Sequence, residues 1–322
     1  MTDQAPANTT PRVQILLAIV VAVFFVAVVI VAAKIAGDRQ TYSPVSMGPV
    51  DAPKASSQQC SDIVAGLPEK AGAFKKVELS QPAPEGAGAY RNSEGTELTV
   101  RCGVIVPDQF TVLSSLSEAG GASWFEVSDA TPGSSLTSWY SVGASPVVAV
   151  TSEAEVGDAL TAIGESVAAH SDRAAAPKPK PYPLSDLPGV ADGNQAANKN
   201  TKQVCEKFLS ALPDSMEQWK RTEEKDAPKM SATYIAEGLE PVVMRCGVAM
   251  PKDYQPGTKL TQVDNVPWFS EPGVARGSTS GRWFALGHEE IVALAMPQSA
   301  GDMVITKVST VIMDTMKSTD RN

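Results

Sequence analysis

Histidine is almost absent from this sequence of 322 residues, and its scarcity restricts the chemistry that the chain can support. A Ser–His–acid arrangement could use only His288, because His170 borders a proline-rich segment and no GxSxG nucleophile motif occurs. His288 precedes Glu289 and Glu290, but neighbouring residues on a hairpin point to opposite sides, whereas a zinc site needs converging ligands. We therefore predict no metal, no cofactor and no catalytic residues. Paired carboxylates acting as acid and base are the one enzymatic alternative.

The sequence also lacks clusters of basic residues. It contains 27 lysines and arginines against 36 aspartates and glutamates, which gives a formal net charge of −9. Proteins that bind nucleic acids neutralise the phosphates with clustered lysine and arginine, and no glycine-rich loop that could cradle a phosphate follows a strand. The composition therefore predicts no nucleic-acid partner.

One long apolar run lies near the N-terminus. Residues 13–33 carry no charge, and a helix of this length spans about 30 Å, the thickness of the hydrocarbon core of a membrane. A cleaved signal peptide is the alternative, but its apolar core usually has about 7–15 residues. The greater length, with Lys34 directly after the run, favours an uncleaved anchor. Arg12, Lys34 and Arg39 flank the run too evenly to decide its orientation by the positive-inside rule.

Two parts of the chain repeat one another. RCGVIVP at 101–107 recurs as RCGVAMP at 245–251, and the offset of 144 residues is constant from Tyr90 onward. A register held over this length indicates a tandem duplication of a domain of about 110 residues, which can bury its own core. The other matched positions are Cys60/Cys205, Leu67-Pro68/Leu212-Pro213, Tyr90/Tyr234, Pro107/Pro251, Trp124-Phe125/Trp268-Phe269, Trp139/Trp283 and Gly157-Asp158/Gly301-Asp302.

The duplication and the apolar run together predict the organisation of the chain. Alternating proline and lysine favour an extended, semi-rigid linker between the copies, and a similar stalk before the first copy could reach about 75 Å when fully extended. The predicted boundaries are 1–12 for a short cytoplasmic N-terminus, 13–34 for a transmembrane anchor, 35–57 for the stalk, 58–169 for the first repeat, 170–200 for the Pro/Lys-rich linker and 201–318 for the second repeat.

Hydrophobic periodicity predicts the same elements in both copies. Each copy opens with a helix, because Cys60, Ile63, Val64 and Leu67 have helical spacing and the second copy repeats it. Strands follow, and the cysteine of each RCGV motif lies on the more apolar face of its strand. We therefore predict an α+β fold, with two homologous domains that each contain an antiparallel sheet between an N-terminal and a C-terminal helix. The predicted strands are 98–106, 139–142, 147–150, 242–250, 283–286 and 291–296, and the predicted closing helices are 156–167 and 304–315.

The four cysteines predict two disulfides. The helix cysteine and the strand cysteine of each copy both face the core, and each copy of a duplicated domain must be self-sufficient. These arguments favour the pairs Cys60–Cys102 and Cys205–Cys246, with four buried free thiols as the alternative. Disulfides form in oxidising compartments, so the pairs would place both repeats outside the cytoplasm.

Six residues are candidates for binding a partner. The two arginines could grip a carboxylate or phosphate, although an ion pair across the sheet to a local acid is the favoured interpretation. The tryptophans could form an exposed shelf for a sugar or a partner, but burial of at least one in each repeat is favoured. The candidates are Arg101, Arg245, Trp124, Trp139, Trp268 and Trp283.

The Cys-x6-Leu-Pro spacing, the Arg-Cys-Gly-Val-x-x-Pro motif and the later tryptophan resemble those of a family of actinobacterial envelope proteins of unknown function. Members usually carry one such domain behind a single hydrophobic N-terminal segment, and the present chain departs from this pattern by carrying two. The resemblance implies a cell-envelope location and this fold, and it assigns no activity.

These observations favour a membrane-anchored extracytoplasmic protein that acts as a non-enzymatic binding or assembly module. Its expected partner is an envelope protein or a wall polymer. The alternatives are an accessory subunit of a membrane complex and an envelope hydrolase or transferase that uses paired carboxylates. The first repeat has 5 basic and 14 acidic residues over 60–169, and the second has 12 and 15 over 205–319. This divergence in charge favours different contact surfaces on the two copies.

Overall fold

The computed structural model describes residues 12–131, 133–189, 199–272 and 279–319. Within these ranges, one helix is long and apolar enough to cross a membrane. Helix α1 spans Arg12–Thr41, and the most apolar window of its segment Ile15–Thr41 has a mean hydropathy of 3.5 and no buried residue. The helix therefore continues beyond the predicted end at residue 34. The predicted cytoplasmic segment 1–12 lies almost wholly outside the described residues.

The first repeat is an antiparallel sheet of eight strands with a helix before it and a helix after it. Its elements are α2 (Gln58–Ala65), β1 (Lys70–Ala71), β2 (Phe74–Val77), β3 (Ala87–Arg91), β4 (Glu97–Cys102), β5 (Leu116–Ala119), β6 (Ala122–Ser128), β7 (Thr137–Ser141), β8 (Val148–Ser152) and α3 (Gly157–His170). The strand order is β1-β2-β3-β4-β8-β7-β6-β5, so β1 and β5 form the two edges.

The second repeat has the same elements in the same order. They are α4 (Lys199–Ala211), β9 (Ser215–Met216), β10 (Trp219–Thr222), β11 (Ser231–Ile235), β12 (Val242–Cys246), β13 (Thr261–Val263), β14 (Val266–Ser270), β15 (Ser280–Ala285), β16 (Val292–Pro297) and α5 (Gly301–Thr315). The sheet order β13-β14-β15-β16-β12-β11-β10-β9 is that of the first repeat. The predicted α+β class, the tandem duplication and the helix–sheet–helix order are confirmed.

The main core of each repeat lies between the two helices and one face of the sheet, which we call the helix face. Along β4, Leu98, Val100 and Cys102 are buried, while Thr99 and Arg101 between them are half-buried on the opposite, outer face. This alternation is the period-two pattern that the sequence predicts for the strand. The burial of apolar side chains on the helix face supplies the main driving force for folding each repeat.

One disulfide joins a helix to the sheet within each repeat. Cys60 and Cys102 connect α2 to β4, and Cys205 and Cys246 connect α4 to β12, with a Cα–Cα distance of 5.5 Å in both. This distance is typical of protein disulfides. The predicted pairing is confirmed, and each bond closes a loop within one repeat.

The predicted strand over 98–106 is wrong at its C-terminal end, because β4 stops at Cys102. Gly103 has φ +81°, a left-handed conformation that breaks the extended strand, and Gly247 repeats it with φ +75°. A side chain at Gly103 would collide with the backbone of Lys54 and Ala55, which cross the strand at this point. The RCGV motif therefore combines the end of a strand with a close crossing of the chain.

The segment before the first repeat differs from the predicted extended stalk. We call residues 42–55 the first strap, because they lie along the first sheet instead of leading away from it. Val45 is fully buried, and its N–H donates to the Glu78 carbonyl at 3.0 Å. The Lys54 N–H donates to the Gly103 carbonyl at 3.2 Å. The first repeat therefore begins within a few residues of the end of α1.

The linker also contains a strap. Residues 180–189, the second strap, cover the outer face of the second sheet, and Tyr182 and Leu184 are buried there. The Ala249 N–H donates to the Pro188 carbonyl at 2.8 Å, and the Lys180 N–H donates to the Phe110 carbonyl at 2.8 Å. This part of the linker is therefore not a free spacer, and residues 190–198 of the predicted linker lie outside the described residues.

The two straps have related sequences. Residues 44–49 read PVSMGP and residues 183–188 read PLSDLP, so both follow the pattern Pro-x-Ser-x-x-Pro. The duplicated unit consequently starts before its first helix, and the predicted domain boundaries omit its N-terminal part. The reason is physical: apolar side chains of the strap cover the second face of a sheet whose first face is already covered by helices.

Candidate binding cleft between the repeats

The two candidate arginines hold the straps. The Arg101 guanidinium donates to the Gly48 carbonyl of the first strap, and burial lowers the pKa of this arginine from its ordinary value. Arg245 is only 1% exposed, and its Nη1 donates to the Leu187 carbonyl at 2.7 Å. Gly48 and Leu187 occupy the same position of the Pro-x-Ser-x-x-Pro pattern. Both guanidinium groups therefore bind backbone carbonyls of the straps, contacts that the sequence did not predict.

Arg245 makes further contacts that are absent at Arg101. Its Nη1 also donates to the Leu184 carbonyl at 3.2 Å, and its Nε donates to the Lys229 carbonyl at 3.3 Å. A guanidinium can serve several carbonyls at once because it presents five N–H groups in a fixed plane. The motif arginine of the second repeat is thus built into the protein interior, where an external ligand does not reach it.

A second arginine fixes the same strap from its polar side. Arg282 forms two hydrogen bonds of 2.8 Å to the two carboxylate oxygens of Asp186, a bidentate pair. Its Nη1 also lies 3.7 Å from the Glu271 carboxylate. No local sequence pattern signals this pair, because Asp186 and Arg282 are 96 residues apart.

Trp124 and Trp268 are fully buried on the helix faces of their sheets. Trp124 Nε1 donates to the Ala119 carbonyl at 3.1 Å, and Trp268 Nε1 donates to the Ser309 hydroxyl at 2.9 Å. Both indoles therefore pack the core with their single polar atom satisfied. Neither can form part of an exposed binding shelf.

Trp139 and Trp283 are half-buried and lie near the surface. Trp139 Nε1 donates to the Glu126 carboxylate at 3.2 Å, and the two residues face each other on β6 and β7. In the second repeat, Trp283 faces Ser270 instead. The tryptophan therefore orients a carboxylate only in the first repeat.

The two repeats contact one another through backbone as well as side chains. The Ser128 N–H at the end of β6 donates to the carbonyl of Gly238, in the turn between β11 and β12, at 2.8 Å. Gly238 has φ +66°, and a side chain there would collide with the Ser128 hydroxyl. Glycine is thus required both for the turn and for the close approach of the first repeat.

A loop of the first repeat also reaches the second. Leu113 is buried in the same apolar cluster as Tyr182 and Leu184 of the second strap and Phe269 of β14. The backbone of 110–112 pairs with Lys180, where the Val112 N–H donates to the Lys180 carbonyl at 3.0 Å. The loop before β5 is therefore held by the second strap and by the second sheet.

This contact leaves a cleft of about 400 Å³ between the repeats. One wall consists of 113–117 and 124–126, around the start of β5, and the other consists of 235–241, the turn between β11 and β12. The walls are not equivalent positions of the duplicated unit, so the cleft exists only once in the described part of the chain. A pocket between domains is a common location for a binding site.

The charge of the cleft is negative. Glu126, Glu237 and Glu240 are among its lining residues, and no lysine, arginine or histidine of the described chain lines it. Asp129 lines a neighbouring pocket that shares Gly238, Leu239 and Glu240 with the cleft. Hydrogen bonds from the backbone N–H and the hydroxyl of Thr131, and one from Ser134, hold the pKa of the exposed Asp129 below its ordinary value.

One of these carboxylates has a structural role. Glu240 is buried, and it accepts hydrogen bonds from the N–H groups of Thr279 at 2.7 Å and Ser280 at 3.2 Å, and also from their hydroxyls. It therefore fixes the start of β15 to the turn that forms one wall of the cleft. Two other carboxylates of the cleft can still bind a ligand. Glu237 lies on the same wall as Glu240, and Glu126 lies on the opposite wall.

His288 and Glu289 bind the C-terminal tail of the chain. His288 is buried and forms an isolated bridge with Ser318, and the Glu289 carboxylate accepts from the Lys317 N–H at 3.0 Å. In the described residues, no group of three or more His, Cys, Asp and Glu side chains could hold a metal ion.

Sequence reasoning missed the cleft residues, although one local signal was present. Gly120-Gly121 separates Ala119 from Ala122, and two glycines between short strands are typical of a β-hairpin. This pattern would have predicted β5 and β6, which contribute one wall. No comparable signal places the β11–β12 turn opposite them, since that depends on how the two repeats pack.

The family described as Protein of unknown function (DUF3515) matches the chain twice, at residues 19–176 and 180–320. The second match begins at the second strap, in agreement with a repeat that includes its strap. The two matches cover most of the chain, which therefore belongs to this family as a tandem pair. No curated protein and no solved structure matches it.

Proposed function

We propose that this tandem member of the DUF3515 family is a membrane-anchored, extracytoplasmic binding or assembly module of the cell envelope, without catalytic activity. Helix α1 would anchor it, and its disulfide-bonded repeats would lie on the oxidising side of the membrane. The cleft between the repeats would bind a partner protein. Both repeats would act together, since neither forms the cleft alone.

The observation that carries the proposal is the contact between the repeats. A backbone hydrogen bond of 2.8 Å from Ser128 to Gly238 and the burial of Leu113 hold the two walls of the cleft in place. A site formed by rigid elements loses less conformational entropy on binding than one formed by mobile loops. The duplication thus gives a reason for two copies in one chain: each supplies a different wall.

The location of the module is supported by two independent features. Helix α1 exposes the apolar side chains of residues 15–33, as a segment in contact with lipid does. Both cysteine pairs form disulfides, which persist in extracytoplasmic compartments. With a single span, these features favour a cytoplasmic N-terminus and repeats on the far side.

The experiment is site-specific crosslinking in native membranes. A photoreactive phenylalanine analogue replaces Glu237, which is exposed at the cleft, or Gln203, which is exposed on α4 and serves as the control. The proposal expects one reproducible protein adduct at 237 that is absent at 203. Equal labelling from both positions, or labelling from neither, contradicts it.

A second candidate function is supported by α1 alone. The apolar, exposed surface of its residues 15–33 would also suit packing against other membrane helices, as in an accessory subunit of a membrane complex. Purification in mild detergent distinguishes binding of a partner at the cleft from packing of α1 against other membrane helices. Retention of a partner after α1 is exchanged for an unrelated membrane span supports the cleft, and loss of the partner supports the accessory subunit.

A further inference from the structure

Strand β5 is an open sheet edge beside the cleft. It is joined to β6 by the two-residue turn Gly120-Gly121, with φ +60° and +76°, which is typical of a type I′ hairpin. In such a hairpin, Ala119 and Ser117 form their backbone hydrogen bonds with β6, and the N–H and C=O groups of Leu116 and Glu118 point away from it. Those outward groups can pair with an additional strand.

This edge is the longest of the four that the two sheets present. β1 and β9 have two residues each, β13 has three, and β5 has four. Leu116, Ser117 and Glu118 are exposed, and Leu116 alone exposes 47% of its surface. Natural edge strands are usually protected by lysine, proline, a bulge or a covering element. The sequence of β5, LSEA, contains neither lysine nor proline.

The charge around this edge is mostly negative, and the nearby basic residues are Arg173 and Lys180, which forms an ion pair with Asp108 at 3.1 Å. Residues 102–169, which include β5 to β8 and α3, contain no lysine or arginine and eight acidic residues. The five basic residues of the first repeat all lie in or before β4, on the opposite half of the sheet. Arg173 reaches the turn end of β5, where it donates to the Gly121 carbonyl at 3.1 Å, away from the cleft end. A strand that pairs here therefore meets a negative surface.

We propose that β5 accepts an extended basic segment of a partner protein as a ninth strand of the first sheet. The inference rests on the proposed function and names the partner chemistry of the same cleft. Leu116 and Glu118 project from the same face of the sheet, because they are two residues apart. The bound segment would place an apolar residue beside Leu116 and a lysine or arginine beside Glu118, with the Glu126 and Glu237 carboxylates adding to the attraction at the cleft.

The second repeat supplies a matched control. Gln262 of β13 corresponds to Glu118 at the offset of 144 residues, and it also lies on an edge strand, beside a two-residue turn. Proline at either position removes one outward N–H, a substitution that edge strands tolerate. Glu118→Gln removes the charge and keeps the N–H, so the two contributions can be separated.

The test uses the full chain in detergent micelles and two synthetic ten-residue peptides, one of alternating lysine and valine and one of alternating glutamate and valine. The lysine peptide is expected to bind, and the glutamate peptide is not. Glu118→Pro is expected to weaken binding about fivefold to tenfold, as the loss of one hydrogen bond implies. Glu118→Gln should weaken it less and reduce its dependence on salt, while Gln262→Pro should leave it unchanged.

Hydrogen exchange keeps the test valid even if a proline variant does not fold. In the unmodified chain, the lysine peptide should slow exchange of the Leu116 and Glu118 amides and leave Thr261–Val263 unaffected. Equal binding of both peptides, no protection of β5, or equal effects of Glu118→Pro and Gln262→Pro would overturn the inference. If the crosslink at 237 persists in the Glu118→Pro variant, the proposed function stands and the strand pairing fails. If the crosslinked material is a polysaccharide, the inference is wrong.

Discussion

Replacing Arg245 with methionine would remove one of the interactions that fix the second strap while keeping an unbranched, shorter side chain in the same place. The Leu184 carbonyl keeps another donor, the Leu187 N–H at 3.3 Å. The carbonyls of Leu187 and Lys229 each lose the guanidinium donor, at 2.7 and 3.3 Å. An unsatisfied buried acceptor costs about 1–3 kcal/mol, and removal of a buried charge offsets part of that cost. We therefore expect a loss of roughly 2–4 kcal/mol in the free energy of unfolding of the second repeat.

The matched variant is Arg101→Met, because the two arginines occupy the same motif position. Arg101 is half-buried and donates to one strap carbonyl, so its replacement should cost about 1 kcal/mol or less. Denaturant unfolding of the full chain in detergent gives both values, and hydrogen exchange across 184–189 shows whether the strap has become loose. Equal losses for the two variants, or an unchanged exchange rate in the second strap of Arg245→Met, would refute the proposed role of this arginine.

Three further predictions use the same preparation. Replacing both Cys205 and Cys246 with serine should lower the stability of the second repeat by about 4 kcal/mol, since the disulfide closes a loop with a sequence separation of 41; an unchanged denaturation midpoint would contradict this. Burial raises the pKa of Tyr234 to about 12; the Arg221 charge opposes this rise, and the Asp214 charge adds a smaller increase. Because ionisation is easier in the unfolded chain, where the pKa is about 10, the contribution of Tyr234 to stability should be complete below pH 10 and lost as pH rises towards 12. Absorbance titration of tyrosinate checks this, and Tyr234→Phe should remove the part of the loss that comes from this residue, while Tyr90, Tyr140 and Tyr182, whose pKa values burial also raises, keep theirs. Gly238→Ala should strain the left-handed turn by about 1 kcal/mol or more and separate the repeats, which is measured as faster exchange of the Ser128 amide; an unaltered Ser128 amide would show that this contact does not hold the cleft.

The helices, strands and disulfides could be predicted because their sequence patterns are local and occur in both copies of the repeat. The helical spacing of Cys60 and the alternation around Cys102 each place a cysteine on a core face, and the second copy repeats both patterns. A disulfide within each repeat follows from that coincidence. Because these periodic patterns occur in both copies, each copy supports the elements predicted in the other.

The straps were missed because proline-rich, non-periodic sequence resembles a linker. Val45 and Leu184 are fully buried, but the other apolar residues of the straps, such as Met47 and Leu187, are separated from them by prolines and polar residues without a regular spacing, so no period marks them. The backbone contacts of Arg101 and Arg245 were missed for the same reason, since their acceptors belong to the straps. Comparing residues 44–49 with 183–188 would have extended the repeat and revealed the error.

The cleft could not be predicted from either copy alone. Its walls are held together by Ser128 and Gly238, which belong to different repeats and do not correspond under the duplication. Contacts of this kind depend on the packing of two finished domains. Only the Gly120-Gly121 hairpin, which forms the β5 edge, had a local signal in the sequence.

We propose that the disulfide-bonded repeats face the extracytoplasmic side of a membrane in which α1 is embedded. The most direct test adds protease to intact, wall-stripped cells of the native host. In parallel, the cysteines of the chain are treated with an alkylating reagent, once without and once with prior reduction. We expect the protease to degrade both repeats without cell lysis, and all four cysteines to become alkylated only after a reductant is added. Repeats that resist protease until the cells are lysed, together with four thiols that react without reductant, would contradict it.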